Sequence, residues 1–133
     1  MKKMFILLFF LISVDVYGYE SNSSIYGEWS GLSNNNEHVF SLNIVEDSKN
    51  TFLSYVFIFQ KGRKINDASN SKILLVRGSD ECWNGVVYGL INKEKAKLTL
   101  CKNKMDNLLT WEIDKRVSYV PKHEIFKSLS SVE

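Results

Sequence analysis

Apolar and polar residues alternate with a period of two along several short stretches of this chain, and that rhythm predicts β-strands. Phe40, Leu42 and Ile44 alternate with Ser41 and Asn43, and Leu109, Trp111 and Ile113 alternate with Thr110 and Glu112. Thr51 to Gln60 is the strongest strand candidate, almost wholly aromatic, β-branched or aliphatic. Ile73 to Val76 reads as a short buried strand. Polar clusters punctuate these runs at Ser33-Asn34-Asn35-Asn36, Asp47-Ser48-Lys49-Asn50, Lys61-Gly62-Arg63-Lys64, Asn66-Asp67-Ala68-Ser69-Asn70 and Gly78-Ser79-Asp80. Trp83 to Leu90 and Ala96 to Cys101 form the arms of a hairpin with Asn92-Lys93-Glu94 at its tip. Two registers are open there. One pairs the faces of Val86, Tyr88 and Leu90 with Ala96, Leu98 and Leu100. The other sets Cys82 opposite Cys101 and groups Trp83 and Val87 with Leu98 and Leu100. A one-residue slip flips every side chain, so only one is compatible with the core.

Arg116 to Val120 reads as a last short strand. Pro121 then suits the first turn of a short helix, where its missing N–H costs nothing, with Ile125, Phe126 and Leu129 on one side. The expected fold is therefore mainly β: an antiparallel up-and-down β-barrel or sandwich of about 7–8 strands with a short C-terminal helix. The Phe52–Phe59 run is apolar on both faces, Leu53, Tyr55, Phe57 and Phe59 on one and Phe52, Val56 and Ile58 on the other. One face fills the core. The other needs cover, either from the C-terminal helix or from a partner, a homodimer included.

The start of the chain changes the picture. Met1-Lys2-Lys3, the apolar run Met4 to Ile12 and the Val16-Tyr17-Gly18 segment have the three parts of a cleaved export signal. The run is shorter than the ~20 residues of a permanent transmembrane helix, so no integral membrane span is expected after cleavage. We assign residues 1–18 to a signal peptide and 19–133 to a single β domain, periplasmic or secreted. Without the signal the formal charge is near neutral, which lacks the basic excess that nucleic acid binding requires.

The chain has two cysteines, Cys82 and Cys101. In an oxidising compartment an even count reads as a disulfide. A metal site would need His, Cys or carboxylate companions at ligand spacing, and neither of the two histidines, His38 and His123, lies near a cysteine in sequence. No metal and no cofactor are expected. Nucleophile elbows, zinc-binding His-Glu-x-x-His and phosphate-cradling glycine loops are absent from the sequence. Glu112 and Asp114 share a strand face, as an acid and a base of a glycosidase would, but exposed turn and surface positions account for them as well.

Gly27-Glu28-Trp29 resembles the Gly-x-Trp that opens the first barrel strand of the lipocalin and avidin-like group, the calycins. The resemblance covers that strand and the general meander rhythm; the second lipocalin motif, a Thr-Asp-Tyr-like turn, is absent. It implies an up-and-down barrel with a ligand in its mouth, Trp29 at the barrel base, and a late arginine, here Arg116, stacked on that indole.

The leading functional expectation is a non-catalytic, exported protein-binding module of the inhibitor or immunity type. Its contact would lie at the stapled hairpin tip, Lys93, Glu94 and Lys95, although a solvated strand face and hairpin tip is the favoured account of the alternating lysines. The second expectation is a carrier of a small apolar ligand, with Trp29, Tyr55, Trp83 and Trp111 lining the pocket. The third is a hydrolase with an unfamiliar site built around His38 or His123.

Overall fold

The computed structural model describes residues 24–59, 64–91 and 93–129. The signal-peptide assignment lies outside them. Eight antiparallel strands in sequence order form a closed up-and-down barrel. They are β1 (Gly27–Gly31), β2 (His38–Asp47), β3 (Asn50–Phe59), β4 (Lys64–Arg77), β5 (Cys82–Tyr88), β6 (Lys95–Lys102), β7 (Leu108–Ile113) and β8 (His123–Ser128).

The period of two in the sequence becomes an inside and an outside. Phe40, Leu42 and Ile44 of β2, Leu53, Tyr55 and Phe57 of β3, Leu98 and Leu100 of β6, and Leu109, Trp111 and Ile113 of β7 all face inward and are buried. At the centre Phe40 meets Trp111 (4.7 Å between ring centroids), Phe126 (5.0 Å), Phe57 (5.4 Å) and Tyr55 (5.9 Å) edge to face. Such contacts each add about 0.5–1.5 kcal/mol beyond the burial of the rings. Outward positions include Glu28, Asn43, Lys95, Lys97 and Glu112.

Both ends of the barrel are closed. At the end where β1 begins, Ile25 is buried and its carbonyl accepts the Trp29 indole N–H at 2.9 Å. At the opposite end the β7–β8 connection folds inward: Val117 and Val120 are buried, and the Pro121 carbonyl accepts the Trp111 indole N–H at 2.8 Å.

Three expectations need correction. The C-terminal helix is absent among the described residues: His123–Ser128 is strand β8, paired with β7 and β1. Its inward residues are Glu124 and Phe126, and the gain that overrides helical spacing is closure, because β8 satisfies the free edges of both neighbours. Hence no helix among the described residues covers β3, whose outward Phe52, Val56 and Ile58 are half-buried. Arg116–Val120 is a loop with one isolated bridge, Val117 to Val120. Finally, Lys64 to Asn70 is not a breaker but the first half of β4. Its inward residues are Asn66 and Ala68, polar and small, which hides the strand period from an apolar count; pairing with β3 supplies the stabilisation instead.

The β5–β6 hairpin takes the register that sets Cys82 against Cys101 and Trp83 against Leu100. The two cysteines are joined by a disulfide on the outer face.

Candidate functional site

The weak point of the wall is the seam between β4 and β5. Other neighbouring strands share ladders of three to ten residue pairs, whereas this one has two, Val76 with Asn84 and Arg77 with Trp83. The cause lies in β4. Leu53 of β3 pairs with Ile73 and Tyr55 pairs with Ala68, so the four residues Ser69–Lys72 stand opposite Ser54 alone. This bulge bends β4 away from the line that β5 follows.

Gly85 marks where the strands still touch. A Cβ there would lie 3.1 Å from the Leu74 carbonyl oxygen and 3.0 Å from a Leu75 methyl, so the absent side chain permits the close approach. Beyond Gly85 the ladder stops. Gly89 N–H donates to Glu94 O and Lys102 N–H to Glu81 O, so odd-numbered residues of β5 turn their backbone groups toward β6. Tyr88 therefore turns its own toward β4. Its carbonyl finds a side chain in place of a ladder partner: the Tyr55 hydroxyl donates to it at 3.4 Å from inside the barrel. Asn66 completes the bridge, its Nδ2 donating to the Tyr119 carbonyl at 3.0 Å and to the Tyr55 oxygen at 3.5 Å. Burial pushes the Tyr55 phenol above its ordinary value, against a smaller opposite effect from Asn66.

A groove of ≈ 1420 Å³ follows the seam. Outside, it is bordered by Leu74 and Val76 of β4, Val86 and Tyr88 of β5, and the polar faces of β6 and β7. It continues through the seam to inward residues, Tyr55, Asn66, Ala68, Ile73, Leu98 and Ile113. The Ile73–Val76 segment is not buried as its sequence suggests: Leu75 points inward, but Leu74 and Val76 alternate outward and are 47% and 57% exposed, and Tyr88 is 54% exposed. Val86 and Leu90, also exposed, line the same groove.

Of the residues expected to form a pocket, Tyr55 and Trp111 meet with ring centroids 5.6 Å apart and Trp29 and Tyr55 border a small hollow, but the four do not line one cavity. Trp29, Tyr55 and Trp111 are buried in the packed core, and only Tyr55 reaches the groove. Trp83 is half-buried, with the Arg77 guanidinium 5.1 Å above its ring. Arg116, the arginine the calycin resemblance would stack on Trp29, is exposed in the β7–β8 connection at the end away from Gly27.

Lys93, Glu94 and Lys95 are exposed beside Leu90 and Ile91. Glu94 also ties the hairpin tip to the β7–β8 loop. Its carboxylate accepts the Ser118 N–H at 2.9 Å, while Leu90 and Ile91 donate to Ser118 from the other side. The bonds from Ser118 hold the Glu94 carboxyl below its ordinary pKa.

A second cluster lies around His38, one of the two histidines named from the sequence, with partners that the sequence did not name. The Ser33 hydroxyl donates to the buried Glu124 carboxylate and lies 3.3 Å from His38 Nε2. Glu124 also accepts the N–H groups of Ser33 (3.4 Å) and Ile125 (3.0 Å). Glu124 lies 91 residues from Ser33, so no spacing signal joins it to the other two. The two N–H bonds occupy Glu124 Oε2, and the cluster borders neither this groove nor the smaller hollow beside Trp29, so it serves to pin the β1–β2 loop to β8. His123 contacts exposed Glu112 at 2.9 Å, and Asp114 accepts the Lys97 N–H, so the Glu112–Asp114 pair is engaged in surface and strand-end contacts.

No protein-family model, no curated protein and no solved structure matches this chain.

Proposed function

We propose that this chain is an exported, non-catalytic binding protein that engages a protein partner through the wall of the barrel, at the outer face of β4 and β5. One observation carries the reading: Leu74, Val76, Val86 and Tyr88 are exposed together along a groove, in a molecule whose inward-facing apolar residues are thoroughly buried. Contiguous exposed apolar surface is costly unless something covers it, and it marks contact sites. The arrangement has the anatomy of an interface: an apolar centre with an aromatic anchor at Tyr88, and a charged rim supplied by Lys93 and Lys95 at the hairpin tip. The Cys82–Cys101 bond on that wall stiffens the platform, which lowers the ordering cost of association. An inhibitor or immunity-type role fits a small, rigid exported module of this kind.

Site-specific photocrosslinking in the producing cell tests it. A benzophenone side chain placed at Tyr88 should give one discrete crosslinked protein species, and the same group at Val45, exposed on the outer face of β2, should give none. Equal crosslinking at both positions, or none at either, would sink the reading.

A further inference from the structure

The calycin resemblance implies a ligand entering through a barrel mouth, yet Ile25 with Trp29 closes one end and Val117 with Val120 closes the other. The groove reaches the interior by a different route, sideways between β4 and β5. We propose that this seam is a lateral binding site for an uncharged amphiphile: a slender apolar chain with a single hydroxyl or carbonyl head. This stands apart from the protein-binding reading and needs no partner protein.

The chemistry of the lining decides the ligand class. The walls inside the seam are Ala68, Ile73, Leu98 and Ile113, all apolar. The floor is polar and neutral: the Tyr55 hydroxyl, the Asn66 amide and the Tyr88 carbonyl. The two hydrogen bonds at the Tyr55 oxygen, 3.4 and 3.5 Å, are at the long limit of useful contact, so a ligand oxygen can replace either without losing a strong bond. No charged side chain faces the inner part among its described lining residues; Asp67, Lys72, Lys97, Glu112 and Asp114 belong to the outer groove. An ionised head would therefore be buried without a counter-charge, which disfavours it strongly. A neutral head gains a hydrogen bond at the floor while its chain lies against the apolar walls. The small side chain of Ala68 keeps its part of the wall low, where a larger residue would fill the seam.

The test uses the mature protein and phenylnaphthylamine, an uncharged apolar probe whose fluorescence rises on leaving water, with decanol and decanoate as competitors at neutral pH. The wild type should bind the probe with one-to-one stoichiometry and release it to decanol, with decanoate at least about tenfold weaker. Tyr55→Phe removes the floor hydroxyl and leaves the ring. It should weaken decanol about fivefold, the worth of one neutral hydrogen bond. Ala68→Trp should fill the seam and abolish probe binding. Should that variant fail to fold, Tyr55→Phe decides alone. No probe uptake by the wild type, decanoate competing as well as decanol, or an unaltered decanol affinity in Tyr55→Phe would each overturn the proposal. None of these results bears on crosslinking at Tyr88, so the two readings fail separately.

Discussion

Single side chains in this barrel carry more than the apolar rhythm assigns them. Tyr55 sits in the middle of the most apolar strand, and the alternation marks it correctly as an inward residue. Its second role, capping the Tyr88 carbonyl where the ladder has ended, depends on β4 swinging away and has no local signal. That role has a titration consequence. Burial raises the Tyr55 pKa above the usual 10.0, so the native state keeps a proton that the unfolded chain releases. The stabilisation tied to that proton is whole below about pH 10 and is lost as the pH rises through the higher native value. Urea melts of the wild type and Tyr55→Phe should therefore run in parallel from neutral pH to about pH 9 and diverge above about pH 10, as the wild type alone feels the cost of ionising a buried phenol. Parallel behaviour throughout would mean the phenol is not held in an apolar setting. Glu124 teaches the complementary lesson. A carboxylate in a strand reads as an outward residue, yet it faces inward because Ser33 and two backbone N–H groups solvate it in place of water.

At the scale of the strands, the β5–β6 hairpin is the element whose sequence left a choice and whose structure made one. Both registers satisfied the period of two. The one adopted puts the cysteines directly opposite each other on the outer face and lets Gly85, an inward position without a side chain, slip under the Leu74 carbonyl. The disulfide closes a separation of 19 residues. The chain-entropy account gives such a cross-link about 3 kcal/mol. The double variant Cys82→Ser, Cys101→Ser should lose about that much in a urea titration under oxidising conditions. A loss below about 0.5 kcal/mol would show that strand pairing alone holds the hairpin. β8 is the converse case. Its sequence offered Pro121 and three apolar residues at helical spacing, and nothing local opposed a helix. The missing information was the pair of free edges on β1 and β7, which a helix could not satisfy.

Over the whole molecule, the barrel combines closed ends with an interrupted wall, and stability should be distributed accordingly. The ladders β2–β3 and β5–β6–β7 are long and their inward residues are buried, whereas the β4–β5 contact is two pairs long. Local opening should begin there, because little ladder or core has to break. Native-state hydrogen exchange should show the Tyr88 amide, which points into the seam, exchanging well before the amides of Leu98 and Leu100 on the next strand. Equal protection across these positions would mean that the barrel opens only as a unit and that the seam is no gate.

The chain's own residue pattern determined the strand class, most of the strand positions, the inward set on β2, β3, β6 and β7, and the cysteine pair. These follow from alternation and from an even cysteine count, both local properties. The tertiary structure alone decided that the last segment closes the barrel as a strand, that polar Lys64–Asn70 belongs to β4, and that three of the four aromatic pocket candidates lie outside the groove. It also decided where the groove is. A bulge on β4, a glycine on β5 and a tyrosine on β3 create it together, and their proximity arises only when distant strands pair. Strand propensity is written residue by residue, whereas a gap between strands is a property of how they meet.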